Sequence, residues 1–164
     1  MNQFTYEKAS SAHIDYLCRS NIEKHPGDDR WVVWMEEAVK NYKSGRTAVF
    51  VVCCNGVPVG EVTLIFSPEC SAINGREELA DHCTTANINA LRIQKPYEGQ
   101  GHISKLMQVT EAYAKEQGYS ALTIGVEAKE TRNLGIYLHW GYDEFVMSEE
   151  EEGELILYYR KELK

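Results

Sequence analysis

The sequence predicts a mixed α/β fold built from about seven strands and about four helices. Four segments repeat apolar residues at helical spacing, and the segments between them have the β-branched composition or two-residue alternation of strands. In chain order the segments are β-α-α-β-β-β-α-β-α-β-β, which requires helices on both faces of a central sheet. No repeat or linker interrupts the 164 residues, so we expect one domain over residues 1–164.

The N-terminal region predicts one strand and two helices. Residues 4–8 are typical of a short edge strand, and Ser10 or Ser11 is placed to cap the helix that follows. A turn at 25–28 stops this helix, and a second helix begins directly after it. The apolar positions of the two helices are Ile14, Leu17, Cys18, Ile22, Trp31, Met35, Ala38, Val39 and Tyr42.

A β-hairpin is the clearest local prediction. Residues 47–54 and 57–66 are apolar runs rich in β-branched side chains, and Asn55-Gly56 between them is typical of a tight two-residue turn. Residues 67–84 are polar and we expect them to be irregular. Loops of this length in compact domains more often carry a function.

The second half of the chain alternates strands with helices. The predicted strands cover residues 85–93, 121–126, 142–147 and 154–161, and the helical segments cover 99–117 and 129–140. Gly118 and Gly141 are placed to end the two helices. An acidic run, Glu149–Glu152 followed by Gly153, is expected to form the turn between the last two strands.

Composition excludes several classes of function. A formal net charge of -8 leaves no basic surface for a phosphate backbone, so nucleic acid is not an expected partner. An acidic surface suits a cationic or neutral small substrate. No apolar run approaches the length of a bilayer span, and residues 1–4 lack the features of a secretion signal, so no membrane partner is expected.

The five cysteines indicate a reducing, cytoplasmic location. Their number is odd and none forms a Cys-x-x-Cys pair. Cys70, His82 and Cys83 have no fourth ligand at a helpful spacing. We therefore expect loop residues there rather than a zinc site, and no metal in the protein.

Residues 91–104 contain the most informative motif. They have the pattern of a strand, a turn containing Gly99 and Gly101, and the start of a helix, whose first amides have no partner within the helix. Such a site suits phosphate oxygens. The dinucleotide fingerprint is incomplete because Ser104 takes the place of its third glycine, and the Lys-Ser/Thr of a P-loop is absent. A tight turn without a ligand is the alternative.

Together with residues 132–142, this segment resembles the GNAT superfamily of acyl-CoA-dependent N-acetyltransferases, most strongly over residues 85–147. The matching residues are Tyr97, Gly99 and Gly101 of the pyrophosphate loop and Arg132, Tyr137, Gly141 and Tyr142 at the end of the last helix. The resemblance implies a GNAT-like mixed central sheet of about seven strands flanked by about four helices.

Three positions depart from the family's pattern. Glu98 stands where Arg or Gln is usual, Ile103 where Gly or Ala is usual, and Asn133 where a small Ala is usual. Because a carboxylate would repel a pyrophosphate, we expect Glu98 to face solvent and backbone amides to make the contacts.

The resemblance implies that acetyl-CoA is the co-substrate and that an amine attacks its thioester directly. The family holds CoA between two parallel strands, here those ending near Ile93 and Val126, where strand backbone pairs with the pantetheine arm. The implied cofactor-binding residues are Leu91, Ile93, Gly99, Gln100, Gly101, His102, Ile103, Ser104 and Asn133.

Two catalytic residues are candidates. The resemblance gives Tyr137 the role of the acid that protonates the departing sulfur, the alternative being an aromatic core residue. Glu61 lies on a mostly apolar face of its predicted strand, where burial would raise its pKa and suit it to act as a base. A structural hydrogen bond is an equally open role for Glu61, and His139 is a further candidate base.

The acceptor site is indicated only loosely. Trp31 and Trp34 could form an aromatic wall for a cationic amine, or pack in the core. Asn87 and Asn89 share the predicted strand face of Leu91 and Ile93, where they could orient substrate or water, or be ordinary strand hydrogen bonders.

The expected function is acetyl transfer from acetyl-CoA to a primary amine of a small molecule. A protein-lysine or N-terminal acetyltransferase would use the same chemistry, and a GNAT-like acyl-CoA-binding sensor is the alternative from another class. Dimers are common in the family, so a homodimer is a further expectation.

Overall fold

The computed structural model describes all 164 residues and contains the predicted seven strands and four helices. In chain order they are β1 (Phe4–Lys8), α1 (Ser11–Glu23), α2 (Arg30–Lys43), β2 (Thr47–Cys54), β3 (Val57–Ile65), β4 (Thr85–Ile93), α3 (His102–Glu116), β5 (Ala121–Glu127), α4 (Thr131–His139), β6 (Glu144–Glu151) and β7 (Glu154–Glu162). None of the helices is both long and apolar enough to cross a membrane.

The seven strands form one mixed sheet, and the chain divides into two compact units. The first unit comprises residues 1–64 and 90–110, and the second comprises residues 65–89 and 111–164. The first unit holds the strand order β1-β2-β3-β4, and the second holds β4-β5-β7-β6. Because the boundaries fall inside β4 and α3, neither unit is a continuous stretch, and the expected single domain stays a prediction.

In the first unit, β1 pairs antiparallel with β2, from Phe4 opposite Cys54 to Lys8 opposite Phe50. The tight turn after β2 is confirmed, because Asn55 and Gly56 have φ angles of 50° and 83°, as a two-residue hairpin requires. Helix α1 covers one face of this pair. The residues of the resulting core are Ala9, Ile14, Leu17, Val49, Val51 and Cys53.

Helix α1 begins with a capping box. The Ser10 hydroxyl accepts a hydrogen bond from the His13 amide at 3.2 Å, and the Ser10 amide donates to His13 Nδ1 at 3.1 Å. The second role usually falls to Glu or Gln. Ser10 is therefore the cap, one of the two serines that the sequence allowed.

In the second unit, β4 runs parallel to β5, and β5 and β6 both run antiparallel to β7. Its core includes residues of the 67–84 loop and of β7. These core residues are Ile65, Cys70, Ile73, Leu79, Ala80 and Tyr158. Tyr142 is also fully buried, and its hydroxyl donates to Glu111 Oε2 at 2.7 Å.

The acidic run is placed differently from the prediction. Glu149 to Glu151 belong to β6 and pair with β7, and only Glu152 and Gly153, with φ of 51° and 82°, form the turn. Because β6 ends the strand order, its charged side chains lie on an edge strand, where they discourage pairing with other chains.

Candidate functional site

The loop between β4 and α3 leaves backbone amides without partners in the helix. After a 3-10 turn at Lys95–Tyr97, Gly99 and Gly101 have φ of 72° and 86°, a region that favours glycine. No atom lies within 4 Å of a Cβ placed on either glycine. The Lys105 amide makes a helical bond to the Gly101 carbonyl at 3.2 Å, so the three amides before it are the unpaired ones. They belong to His102, Ile103 and Ser104.

His102 is held by hydrogen bonds on both ring nitrogens. Nδ1 lies 2.7 Å from the Tyr6 hydroxyl, and Nε2 lies 3.2 Å from Gln100 Oε1. Because the Gln100 amide group donates to the Pro96 carbonyl at 3.1 Å, its Oε1 accepts from Nε2–H and Nδ1 accepts from Tyr6. Burial lowers the pKa of His102 and the charge of Lys105 lowers it further, as suits a neutral ring.

The loop's own hydrogen bonds therefore use two side chains that were predicted to bind the cofactor. Gln100 and His102 bind each other, and both ring nitrogens of His102 are engaged, so its backbone amide is the group that it offers a ligand. Glu98 is exposed, as expected, and the exposed Lys95 and Lys105 are the cations of this segment. The loop thus offers amides and positive charge rather than neutral polar side chains.

Ala90 lies inside strand β4 and has a left-handed φ of 52°. The pairs of β4 with β5 run from Thr85 to Ile88, before this residue. A left-handed residue in a strand is typical of a bulge, which disturbs the local side-chain alternation. The shared strand face expected for Asn87, Asn89, Leu91 and Ile93 stays a prediction.

Beyond Ala90, the side chains of Ile93 and Arg92 in β4 lie near two successive residues of β3, Gly60 and Glu61. A Cβ on Gly60 would lie 3.5 Å from Ile93 Cγ1, whereas the Arg92 guanidinium reaches the carboxylate of Glu61. Leu91 and Ile93, the predicted pantetheine-binding residues, are both half-buried. Arg92 thus projects to the face that Glu61 occupies.

Glu61 is buried in an ion pair. Its Oε1 accepts from Arg92 Nη1 at 3.3 Å, and its Oε2 accepts from Asn21 Nδ2 at 3.2 Å. Glu61 is 8% exposed and Asn21 is 6% exposed. The strand pattern predicted mostly apolar surroundings for the Glu61 carboxylate. This prediction is wrong in one respect, because the strand register places the cation of Arg92 beside it.

Both candidate tryptophans contact arginines of the same unit. The Trp31 ring stacks on His25 with centroids 3.9 Å apart, and the Arg92 Cζ lies 5.1 Å from its centroid. The Arg30 Cζ lies 5.5 Å from the Trp34 centroid. An aromatic wall is present on α2, with rings 5.3 Å apart, but the chain's own cations already lie on it.

In the second unit, Tyr137 lies in the last turns of α4, half-buried, with its ring 5.8 Å from that of Trp140. Burial raises the pKa of Tyr137, so the phenol keeps its proton at neutral pH. Asn133 is exposed in the first half of the same helix, and His139 is exposed at its end.

Asn87 has a structural partner. Its side chain is buried, and Nδ2 donates to Thr123 Oγ1 at 2.9 Å, which in turn donates to the Leu79 carbonyl at 2.7 Å. Of the two roles considered for Asn87, the geometry favours a hydrogen bonder that joins strands β4 and β5 to the 67–84 loop. Asn89 is exposed and stays a candidate for substrate contact.

The 67–84 loop is irregular, as predicted, but firmly attached within the second unit. Arg76 forms ion pairs with Glu149 and Glu151, donates to two backbone carbonyls of its own loop, and lies 5.1 Å above the Tyr158 ring. The acidic side chains of β6 thus anchor the loop, which the sequence did not indicate.

Asp81 stabilises the end of this loop. Its carboxylate accepts hydrogen bonds from the amides of Cys83, Thr84 and Thr85 at 2.7–2.9 Å and from the Thr84 hydroxyl at 2.6 Å. Burial raises the pKa of Asp81, and these hydrogen bonds outweigh that effect and lower it to about 2.

The cysteines differ in exposure. Cys53, Cys54 and Cys70 are buried, Cys18 is half-buried, and Cys83 is exposed. Cys70 packs in the core of the second unit rather than in a ligand cluster. The group of possible metal ligands that the structure does bring together lies in the first unit and comprises Glu7, His13 and Cys53.

Sequence reasoning missed three residues of the first unit that contact predicted site residues. Tyr6 binds His102, while Asn21 and Arg92 bind Glu61. Arg92 stood within the informative motif, so its charge beside the predicted cofactor strand was an available signal. Tyr6 and Asn21 gave no signal, because their partners lie 96 and 40 positions away.

Comparison with known proteins gives a family match over most of the chain. The model of the acetyltransferase (GNAT) family matches residues 12–142. No curated protein matches the chain.

Solved structures similar to this chain share its fold at low identity. An IAA acetyltransferase from Bacillus cereus ATCC 14579 is 16% identical with a TM-score of 0.65, over 98% of this chain and 100% of that one. An N-acetyltransferase from Staphylococcus aureus Mu50 is 17% identical with a TM-score of 0.66, over 99% of each. The PaiA N-acetyltransferase from Thermoplasma acidophilum, solved in complex with coenzyme A, is 12% identical with a TM-score of 0.65, over 98% of this chain and 99% of that one.

Proposed function

Because the chain belongs to the GNAT family of acetyltransferases, whose chemistry is acyl transfer from CoA, we propose that it transfers an acetyl group from acetyl-CoA to a primary amine of a small molecule. The observation that supports this most directly is the loop from Gly99 to Ser104. Its left-handed glycines and unpaired first-turn amides suit a diphosphate.

The residues present fit acetyl-CoA in three respects. The space beside Gly99 and Gly101 is open, and the amides of His102, Ile103 and Ser104 are the donors available for phosphate oxygens. Lys95 and Lys105 add positive charge from the same segment. Acetyl-CoA supplies the thioester from which the acyl group is transferred.

The pantetheine arm is assigned to the C-terminal part of β4. The pairs of β4 with β5 run from Thr85 to Ile88, and we propose that the backbone groups of Leu91 and Ile93, beyond these pairs, bind the ligand. An extended ligand segment can bind a strand as an added strand. Ala90, with its left-handed φ, lies at the start of this segment.

Tyr137 is proposed as the general acid. Its phenol keeps its proton because burial raises its pKa, and a protonated phenol can donate to a departing thiolate. Asn133, on the same helix, is proposed to contact the cofactor from its exposed position.

Glu61 is proposed as the general base, with Arg92 and Asn21 as its positioning residues. Each oxygen of a carboxylate has two lone-pair sites, so the two observed hydrogen bonds leave capacity to accept the proton that the amine loses as it attacks the thioester, directly or through water. The buried location of Glu61 limits competition from bulk water.

The acceptor is proposed to contact the Trp31 and Trp34 side of α2 in the first unit. Asn89, which is exposed in the second unit, stays a separate candidate for substrate contact. Since Arg92 and Arg30 lie on the two indole rings, these rings offer little further attraction to a cation. They suit the neutral amine, which is also the nucleophilic form.

A binding experiment tests the loop. We expect acetyl-CoA to raise the melting temperature, whereas ATP and NAD do not. Gly99→Ala should remove this shift, because its Cβ would enter the open space beside the loop. Gly45→Ala is the matched control: Gly45 has a φ of 76° and equally open surroundings but lies outside the loop. An equal loss in both variants, or no shift in the wild type, would refute the proposed cofactor site.

A turnover experiment tests the reaction. Release of free thiol from acetyl-CoA is followed with a panel of small primary amines, amino acids and lysine-containing peptides. The proposal requires release with at least one small amine. Acetyl-CoA binding without release in any arm would instead favour the sensor alternative, and release with peptides alone would favour a protein acetyltransferase.

A further inference from the structure

We propose that Glu7, His13 and Cys53 form a binding site for a divalent transition-metal ion of the Zn²⁺ type. One ligand atom from each side chain lies within 4.8 Å of the other two. None of the three residues takes part in the proposed acetyl transfer. The site would therefore be a separate property of the first unit.

The local fold explains why these side chains meet. Cys53 on β2 is opposite Thr5 on β1, and Glu7 follows Thr5 by two residues, so all three project from the same face of the strand pair. Helix α1 covers that face, and its first turn places His13 Nε2 at 3.9 Å from Cys53 Sγ. Three different elements thus bring their donors to one point.

The donor set suits zinc or cobalt rather than magnesium or calcium. A thiolate, an imidazole and a carboxylate are all common ligands of tetrahedral Zn²⁺, and thiolate disfavours the hard cations. Neighbouring ligand atoms of such a site lie roughly 3.5 Å apart, given bond lengths near 2.0–2.3 Å. The His13 to Cys53 distance is close to this value, and Glu7, which is exposed, can move to complete the set.

The environment also provides an entry path and a positioning bond. Cys53 is fully buried, but His13 is half-buried and Glu7 is exposed, so an ion and a fourth, water ligand can reach the site from solvent. The Thr5 hydroxyl donates to Glu7 Oε1 at 3.2 Å and orients that carboxylate.

Metal binding would change the cap of α1. His13 Nδ1 now accepts from the Ser10 amide, so in the neutral ring the proton lies on Nε2, the atom that faces Cys53. Ligation through Nε2 places the proton on Nδ1 and breaks this bond. The bond from the His13 amide to the Ser10 hydroxyl remains, so α1 keeps one half of its capping box. The ligating thiol releases its proton to solvent.

Cobalt substitution tests the site. The folded protein, carrying Cys83→Ser to remove the exposed thiol, is titrated with Co²⁺ while thiolate-to-cobalt charge-transfer absorption and visible d–d bands are recorded. We expect a single saturable site that Zn²⁺ displaces. Absence of a thiolate band, or saturation at many equivalents, would overturn the proposal.

Three variants locate the ligands. His13→Gln keeps a residue that completes a capping box but removes the imidazole, and it should weaken Co²⁺ binding at least about tenfold. Cys53→Ala should abolish the charge-transfer band, whereas Cys54→Ala, which removes the adjacent buried thiol, should leave it unchanged. If Cys53→Ala does not fold, His13→Gln decides alone. Unchanged binding in His13→Gln contradicts the proposed site.

Discussion

The Tyr6 hydroxyl lies 2.7 Å from His102 Nδ1, although the two residues are 96 positions apart. The same ring is bound on its other side by Gln100, which in turn donates to the Pro96 carbonyl. The first strand is thereby joined to the loop proposed to bind the diphosphate. A hydrogen bond from outside the loop thus fixes the start of α3.

Replacing Tyr6 by Phe should weaken acetyl-CoA binding without slowing the chemical step. Loss of the hydrogen bond to His102 should cost about 1 kcal/mol of the free energy that holds the loop in its binding conformation. We therefore expect the KM for acetyl-CoA to rise about fivefold with kcat unchanged. Tyr16→Phe, an exposed position on α1, is the matched control. A fall in kcat with an unchanged KM would argue against a positioning role for Tyr6.

Replacing Tyr137 by Phe should lower turnover and spare binding. Removal of a general acid typically costs about 10²–10⁴-fold in rate, and the phenyl ring still fills the half-buried space. Steady-state kinetics with the best amine, together with calorimetry of acetyl-CoA binding, make the measurement. Tyr159→Phe in β7 serves as the control, and equal rates in Tyr137→Phe and wild type would remove the proposed acid.

Replacing Glu61 by Gln should lower kcat. If Glu61 accepts the proton that the attacking amine loses, its removal should cost about 10²-fold or more in kcat. Arg92→Lys retains a cation beside Glu61 and should keep most of the activity. A kcat unaltered in Glu61→Gln would leave Glu61 only its structural ion pair.

Replacing Asp81 by Asn should destabilise the protein above about pH 4 and less at lower pH. The folded pKa of Asp81 is about 2, below the unfolded value of about 3.9, so its stabilisation is complete above pH ~4 and is lost as the pH falls towards 2. We expect a loss of roughly 1–2 kcal/mol in the free energy of unfolding at pH 5.

Urea unfolding at pH 5 and pH 3 measures this effect. The difference between wild type and Asp81→Asn should be smaller at pH 3, because the Asp81 carboxylate is by then mostly protonated in the unfolded chain but not in the folded one. Glu77→Gln, an exposed position in the same loop, should change stability by no more than about 0.5 kcal/mol at either pH. A constant difference at both pH values would mean that the charge of Asp81 is not the cause.

Local sequence signals were sufficient to predict the elements of the fold. The Asn55-Gly56 turn, the Ser10 cap and the left-handed Gly118 and Gly141 all depend on residues within a few positions of one another. Such signals persist in any tertiary context, because they arise from backbone sterics and local hydrogen bonds. The element order followed from them.

Contacts between distant segments could not be predicted in the same way. The ion pair of Glu61 with Arg92 depends on the register of β3 and β4, and β4 contains a left-handed residue, Ala90, that is not a glycine. No composition rule places such a residue within a strand. The placement of the acidic run in β6 could not be predicted, because the residue that anchors it, Arg76, lies 73 positions earlier.

The exposure of Cys83 has a practical consequence. Three of the other four thiols are buried and the fourth is half-buried, so a maleimide reagent at low concentration should modify Cys83 first. A fluorophore attached there would sit next to Thr84, whose amide and hydroxyl are bound by Asp81. Its emission would then report directly on movement of that bend when substrates are added.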